Sequence, residues 1–146
     1  MISKLAKLAT LDTNLLHLAK TIYGEARGES IETMLAVGWV IRNRLHTKRY
    51  GDTYKDVVLQ PKQFSCWNKN DPNYKKIKGT ITGNLWEVCI GVAIVVIQST
   101  ERHNPIPNVR HYYDKSLDSN PPYWAESGEY MSVYGVNNIR LIRGVR

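Results

Sequence analysis

The side chains best suited to chemistry gather in one short turn, where Glu25, Glu29 and Glu32 place three carboxylates close together. Glu25 follows Ile22 by three residues and Leu18 by seven, so at about 100° per residue it falls on their apolar helical stripe. A carboxylate at the end of a buried helical face loses solvation, which favours its protonated form. A protonated carboxylic acid near neutral pH is the proton donor that a glycosidic leaving oxygen needs. The competing reading is a structural ion pair from Glu25 to Arg27, Arg42 or Arg44. Glycosidases commonly use two carboxylates, whose separation sets the stereochemical outcome. Glu29 is a candidate beside Glu25, although Glu29 and Glu32 also fit ordinary caps or solvated charges at a helix start.

The elements that must position this turn are legible in outline. Asp12-Thr13-Asn14 supplies N-cap chemistry for a helix over roughly residues 14–26, and Leu11, Leu15, Leu18 and Ile22 form its stripe. Gly28 breaks that helix, and Ser30 caps a second one from residue 31 to about residue 45. MLAVGWVI is apolar almost all round, so the second helix is expected to be buried, with Arg42, Arg44 and Lys48 suiting its C-terminal end. Tyr23 lies two positions before Glu25, which points it elsewhere on a helix and makes it a packing residue.

Residues 46–83 read as irregular, punctuated by Gly51, Pro61, Pro72, Gly79 and Gly83, with Asp52 capping a short helix over YKDVVLQ. Asn84 opens a third major helix reaching about residue 101. Its VCIGVAIVVI run is rich in β-branched residues, so a buried strand is the alternative. Pro105 and Pro107 end the element. The rest is loop-like and Tyr-rich, closing on the strand candidate NIRLIRG. The expected fold is mainly α (α+β): one domain with a long aromatic loop region and at most a small sheet.

Length and composition narrow the function classes. The chain has 146 residues, which suits one domain, and its 42% hydrophobic and 23% charged content matches a globular protein rather than a disordered or collagenous one. The nearly apolar residues 85–97 include Glu87 and fall short of the ~20 residues a membrane helix needs. The opening MISKLAKLATLDTN lacks the apolar core of a secretion signal, so export by that route is not expected. Twenty Lys and Arg against 13 Asp and Glu give +7, which favours a polyanionic partner such as nucleic acid, an anionic membrane surface or a cell-wall polymer. Cys66 and Cys89 fit neither a zinc pattern nor a disulfide framework and read as buried, inert thiols. His17, His46 and His103 make no metal-ligand spacing, so neither metal nor other cofactor is expected. Nine Tyr and four Trp against one Phe put a polar handle on almost every ring, which suits sugar clefts and protein interfaces alike.

Three segments carry a family resemblance. LAKTIYGEARGESIETMLAVGWVIRNRL closely resembles the opening motif of the spore cortex-lytic, or cell wall hydrolase, family. VVLQPKQFSCWN resembles its second signature, and VRHYY with PPYWA resembles its C-terminal block. The blocks occur in family order over roughly residues 15–125. The resemblance implies a lysozyme-like fold and cleavage of the β-1,4 bond between N-acetylmuramic acid and N-acetylglucosamine in peptidoglycan glycan strands. Family members are typically lytic transglycosylases whose essential glutamate matches Glu25. The same residue protonates the bridging oxygen and then removes the muramic acid O6 proton as O6 attacks C1, giving a 1,6-anhydro product.

In that frame the later blocks would line the glycan cleft. Gln63, Ser65 and Trp67 offer an amide, a hydroxyl and a ring for an acetylated sugar; alternatively Phe64 and Trp67 are core and Ser65 caps a turn. His111, Tyr112 and Tyr113 form a second cluster, with His111 open to a purely structural role. Trp124 either closes the cleft or seals the core. The spore enzymes carry an export signal and usually a wall-binding region that this sequence lacks. It therefore resembles a bacteriophage endolysin, expected to wait as a monomer in the host bacterial cytoplasm until the membrane is permeabilised. Its charge would then draw it to the anionic bacterial surface. Two rivals stand beside this reading: a muramidase that passes the glycosyl unit to water, and a non-enzymatic basic module. Specific nucleic-acid binding is not expected, because no recognisable motif organises the scattered cations.

Overall fold

Two helices precede Gly28 where the spacing predicts one. In the computed structural model, which describes residues 3–146, α1 (Lys4–Leu11) is capped by Ser3 Oγ accepting the Ala6 N–H at 3.1 Å. α2 (Thr13–Ala26) starts where its cap requires. The Asp12 carboxylate accepts the Asn14 and Leu15 N–H groups at 2.9 and 3.0 Å, satisfying two donors that a helix start leaves unpaired. Leu15, Leu18 and Ile22 form its buried stripe as expected, while the side chain of Leu11 lies outside the described set.

α3 (Ile31–Thr47) is capped by Ser30, whose Oγ accepts the Thr33 N–H at 3.1 Å, and it ends at Lys48 in a left-handed turn. It runs through the core, with Val37, Trp39, Val40 and Ile41 buried. The segment open to two readings is a helix, α6 (Asn84–Gln98), after the short α4 (Tyr54–Val58) and α5 (Tyr74–Ile77). Trp86, Cys89, Ile90, Ala93 and Val96 are buried at the three- and four-residue spacing of one helical face. Gly38 of α3 lets α6 come close, since a Cβ there would lie 2.8 Å from Val96 Cγ2. Arg42 of α3 then donates to the Val96 carbonyl at 2.7 Å and to that of Ser99, so α6 stops at Gln98, ahead of the expected residue 101. No helix of the described residues is long and apolar enough to cross a membrane.

The C-terminal third is more ordered than its sequence suggests. VRHYYD, which reads as loop, is strand β1 (Val109–Asp114). It pairs antiparallel with β3 (Ile139–Arg143), and β2 (Glu129–Met131) pairs on the other side, giving the order β1-β3-β2. The signal is non-local: Tyr112 pairs with Leu141, far along the chain, and a lone strand has no local hydrogen bonds to announce it. A buried amide network fastens this sheet to α3. Asn43 Nδ2 donates to the Ile106 and Val109 carbonyls at 3.0 and 2.8 Å, while its oxygen accepts from Asn104 Nδ2 at 2.8 Å. The mainly helical α+β architecture thus sets the end of α2 against the start of the sheet, over one hydrophobic cluster.

Candidate active site

Glu25 sits in the last turn of α2, beside a glycine with a specific job. A Cβ on Gly24 would lie 2.6 Å from Cys66 Cβ, so the bare backbone lets the 3-10 turn Ser65–Trp67 pack directly on α2. That approach aims the Cys66 N–H at Glu25 Oε2 at 3.2 Å, with Ser65 Oγ at 3.4 Å. From the opposite wall, Tyr112 Oη donates to Glu25 Oε1 at 2.7 Å. Both carboxylate oxygens are therefore held by groups from distant parts of the chain.

The ion-pair alternative is not what the structure contains. Arg27 donates to the Tyr23 carbonyl and to Asn73 Oδ1, and Arg42 serves the end of α6. Arg44 donates to the Arg110 carbonyl at 2.7 Å and to Gln63 Oε1 at 2.9 Å. Among the described residues, no Lys or Arg pairs with Glu25.

Glu25 opens into a cleft of about 400 Å³. Gln63, Ser65, Tyr112, Tyr113 and Trp124 line it. Glu29, Trp67 and His111 are not among its lining residues. Glu29 Oε2 accepts from Asn138 Nδ2 at 2.7 Å. Trp67 donates its indole N–H to Thr21 Oγ1 at 2.9 Å and stacks on His17 with ring centres 5.5 Å apart, anchoring the 3-10 turn to α2. His111 lies against Trp124, ring centres 5.2 Å apart, and against Tyr50 at 6.4 Å, so it backs the cleft wall. Tyr23 packs edge-on against Trp86, as its spacing requires.

Four polar lining residues are not among those the sequence singles out for the cleft: Arg44, Lys62, Asn73 and Asp114. A basic residue inside a helix expected to be buried is a usable signal for Arg44. Asp114 is simply the next residue of VRHYY, and nothing local marks Lys62 or Asn73.

With this geometry in place, similarity adds a decisive observation: the Cell Wall Hydrolase family model matches residues 28–138. The chain belongs to that family. The match opens at Gly28 and so does not include Glu25. Shorter alignments relate the chain to three proteins named spore cortex-lytic enzyme. That of Oceanobacillus iheyensis is 44% identical over 49 residues, covering 34% of this chain and 18% of the relative. That of Bacillus subtilis is 40% identical over 49 residues, covering 34% and 16%. That of Halalkalibacterium halodurans is 37% identical over 55 residues, covering 38% and 17%. The aligned stretch thus spans less than a fifth of each relative's length. No solved structure is significantly similar to the chain.

In this Cell Wall Hydrolase chain the groups around Glu25 have separate protonation behaviour. Burial, then the charge of Glu25 and the hydrogen bond to it, raise the Tyr112 phenol well above its ordinary value, so Tyr112 stays a donor. Burial and the same carboxylate also raise the Cys66 thiol, and burial pushes Cys89 up to about 12; both cysteines are buried and free, the inert thiols expected. Asp114 is the opposite case. The Ser116 backbone N–H, donating at 2.8 Å, holds its carboxyl below the ordinary value, which keeps a second, ionised carboxylate on the cleft wall. His111 is lowered to about 4 by desolvation and then by Arg44, Arg110 and Arg49, so it is neutral at pH 7. Among the described residues, no three His, Cys, Asp or Glu side chains are grouped as metal ligands.

The last feature is backbone strain. Gln63 N–H donates to the Gln60 carbonyl at 3.2 Å, closing a turn with Pro61 second and Lys62 third, and Lys62 adopts φ 64°. A turn of this kind favours Gly or Asn at the third position, and a side chain there costs on the order of 1–3 kcal/mol.

Proposed function

We propose that the chain degrades peptidoglycan by lytic transglycosylation, cleaving the β-1,4 bond between N-acetylmuramic acid and N-acetylglucosamine. The observation that carries this reading is the Glu25 carboxylate, held by Tyr112 and the Cys66 N–H where the cleft opens. Protonated Glu25 gives its proton to the bridging oxygen, the muramic acid C1–O bond breaks, and N-acetylglucosamine leaves with a free O4 hydroxyl. The resulting carboxylate takes the O6 proton as O6 bonds to C1, closing the 1,6-anhydro ring and restoring the acid. No water is consumed. Family membership supports the substrate, and the cleft's mixture of amide, hydroxyl and rings suits acetylated sugars.

A second reading, hydrolysis with the same Glu25, is favoured by one observation: Asp114 brings another carboxylate to the cleft. Mass spectrometry of peptidoglycan digested by wild type and by Glu25→Gln separates the two. Products one water lighter than hydrolytic muropeptides, with a rate loss of about 100–10,000-fold in the variant, are expected. Full activity of Glu25→Gln overturns the role of Glu25. Reducing-end products sensitive to Asp114→Asn establish the hydrolase instead, and peptide fragments from intact glycan mean a different bond is cut.

The same reading takes the protein as a phage endolysin that waits in the host cytoplasm and reaches the wall after membrane permeabilisation. The +7 charge supports attraction to anionic wall polymers, screened over ~8 Å at physiological salt. Expression in a bacterial host with and without a pore-forming protein tests it: lysis only with the pore is expected, and lysis without it overturns the role.

A further inference from the structure

Lys62 stands at a turn position that favours glycine, yet it is exposed, makes no ion pair among the described residues and lines the Glu25 cleft. The other non-glycine residues with positive φ have local explanations: Lys48 ends α3, and Asn108 is a residue type that tolerates the left-handed region. Nothing in the packing explains Lys62. Strain retained at a cleft by a side chain with no structural partner points to a ligand.

The surroundings say what kind. Gln63, the next residue, is held by Arg44, which also lines the cleft but is buried and already donates to the Arg110 carbonyl and to Gln63 Oε1, so Lys62 is the exposed cation of this turn. The cleft also holds the carboxylates of Glu25 and Asp114, so the attraction for an anionic group is local to Lys62, which pairs with neither of them. The sugar rings of a peptidoglycan strand offer only neutral hydroxyls and acetamides. Their fixed negative charge hangs from the 3-O-lactyl arm of muramic acid, as the lactyl carboxylate where no peptide is attached or as stem-peptide carboxylates where one is. An anionic substituent on O6 is not compatible with the proposed chemistry, because O6 must be free to attack C1.

We infer that Lys62 is a specificity-determining residue that recognises a carboxylate on the lactyl arm of the muramic acid bound at Glu25. This rests on the peptidoglycan reading above. Lys62 lies on an exposed wall, so its contribution is that of a solvent-screened pair, about a 2- to 5-fold preference.

The test compares three strand preparations: peptide-bearing, amidase-stripped to the free lactyl carboxylate, and the stripped strands with that carboxylate amidated. Wild type is expected to show lower KM on carboxylate-bearing strands than on amidated ones. Lys62→Gln, which keeps the backbone strain but not the charge, should lose that preference, and Lys62→Arg should restore it. Lys62→Gly should lose it too while its Tm holds or rises, since the turn is then relaxed, which separates a ligand role from a fold role. A defect confined to stripped strands assigns the lactyl carboxylate, and one confined to peptide-bearing strands assigns the stem peptide. Preference retained by Lys62→Gln, or KM raised equally on amidated strands, overturns the inference while wild-type cleavage leaves the function standing. Absence of glycan cleavage by wild type on all three overturns both.

Discussion

Tyr112 donates a 2.7 Å hydrogen bond to Glu25 across a separation of 87 residues, and that contact joins the helical half of the molecule to its sheet. α2 delivers the Glu25 carboxylate and β1 delivers the phenol that holds it. The Asn43 network that pins the start of β1 to α3 fixes the distance between them. A hydrogen bond to a charged group contributes roughly 1.5–3 kcal/mol. If it holds Glu25 in its reactive pose, Tyr112→Phe should lower kcat about 10- to 100-fold with a smaller change in KM. Steady-state kinetics on soluble glycan strands decide this; an unaltered kcat would show that Glu25 needs no help from Tyr112.

The other support is a close approach rather than a side chain. Gly24→Ala puts a methyl where Cys66 Cβ and Sγ already stand, 2.6 and 2.8 Å away, and the Cys66 N–H must retreat from Glu25. Overpacking of this kind costs typically 1–3 kcal/mol. Denaturant unfolding should register that loss, and activity should fall further than stability accounts for. Adding Cys66→Gly to Gly24→Ala removes the colliding side chain and should recover part of both; no recovery would sink the packing argument.

How much of this was legible in the sequence depends on how far apart the partners lie. Glu25 and the caps at Asp12 and Ser30 are local signals, and each appears where the residues place it. α6 resolved toward helix because its buried positions repeat every three or four residues, and β-branched content did not outweigh that period. β1 was missed because its partner β3 follows some thirty residues later. Trp67 and Ser65 share one short turn, yet only Ser65 reaches the cleft; the direction in which a 3-10 turn presents its side chains is set by its packing on Gly24 and Thr21. Arg44 was assigned to the helix end by charge, whereas the Arg110 carbonyl and the Gln63 amide draw its guanidinium to the cleft wall.

Stability should depend on pH in a window set by histidine. His111 is lowered from 6.5 to about 4 in the fold, so between those values the unfolded chain binds more protons and stability falls as pH drops. His17 is also lowered, chiefly by burial, and adds in the same direction. Asp114, held below its ordinary 3.8, loses its contribution only at still lower pH and so does not contaminate the window. Thermal melts should show Tm decreasing from pH 7 to 4.5, with a shallower decrease in His111→Gln. An identical slope in the variant would mean that His111 is not held neutral by its neighbours.

Arg42 tests the scaffold apart from the site. Its guanidinium is buried, lies over the Trp39 ring at 4.6 Å and donates to the Val96 and Ser99 carbonyls, which α6 cannot pair for itself. Glu101 stands 3.7 Å away, mostly solvated, and neutralises part of the charge. Arg42→Met keeps apolar volume but orphans both carbonyls, for an expected loss of roughly 2–4 kcal/mol. In a chain of this size that lowers Tm by about 5–15 °C. Both bonds come from Arg42 Nη1, so an ammonium in Arg42→Lys can donate to both carbonyls and should recover part of the loss, but not the contact of the guanidinium with the Trp39 ring. Full recovery by lysine would mean that donation to the two carbonyls, and not the contact with Trp39, holds α6 against α3.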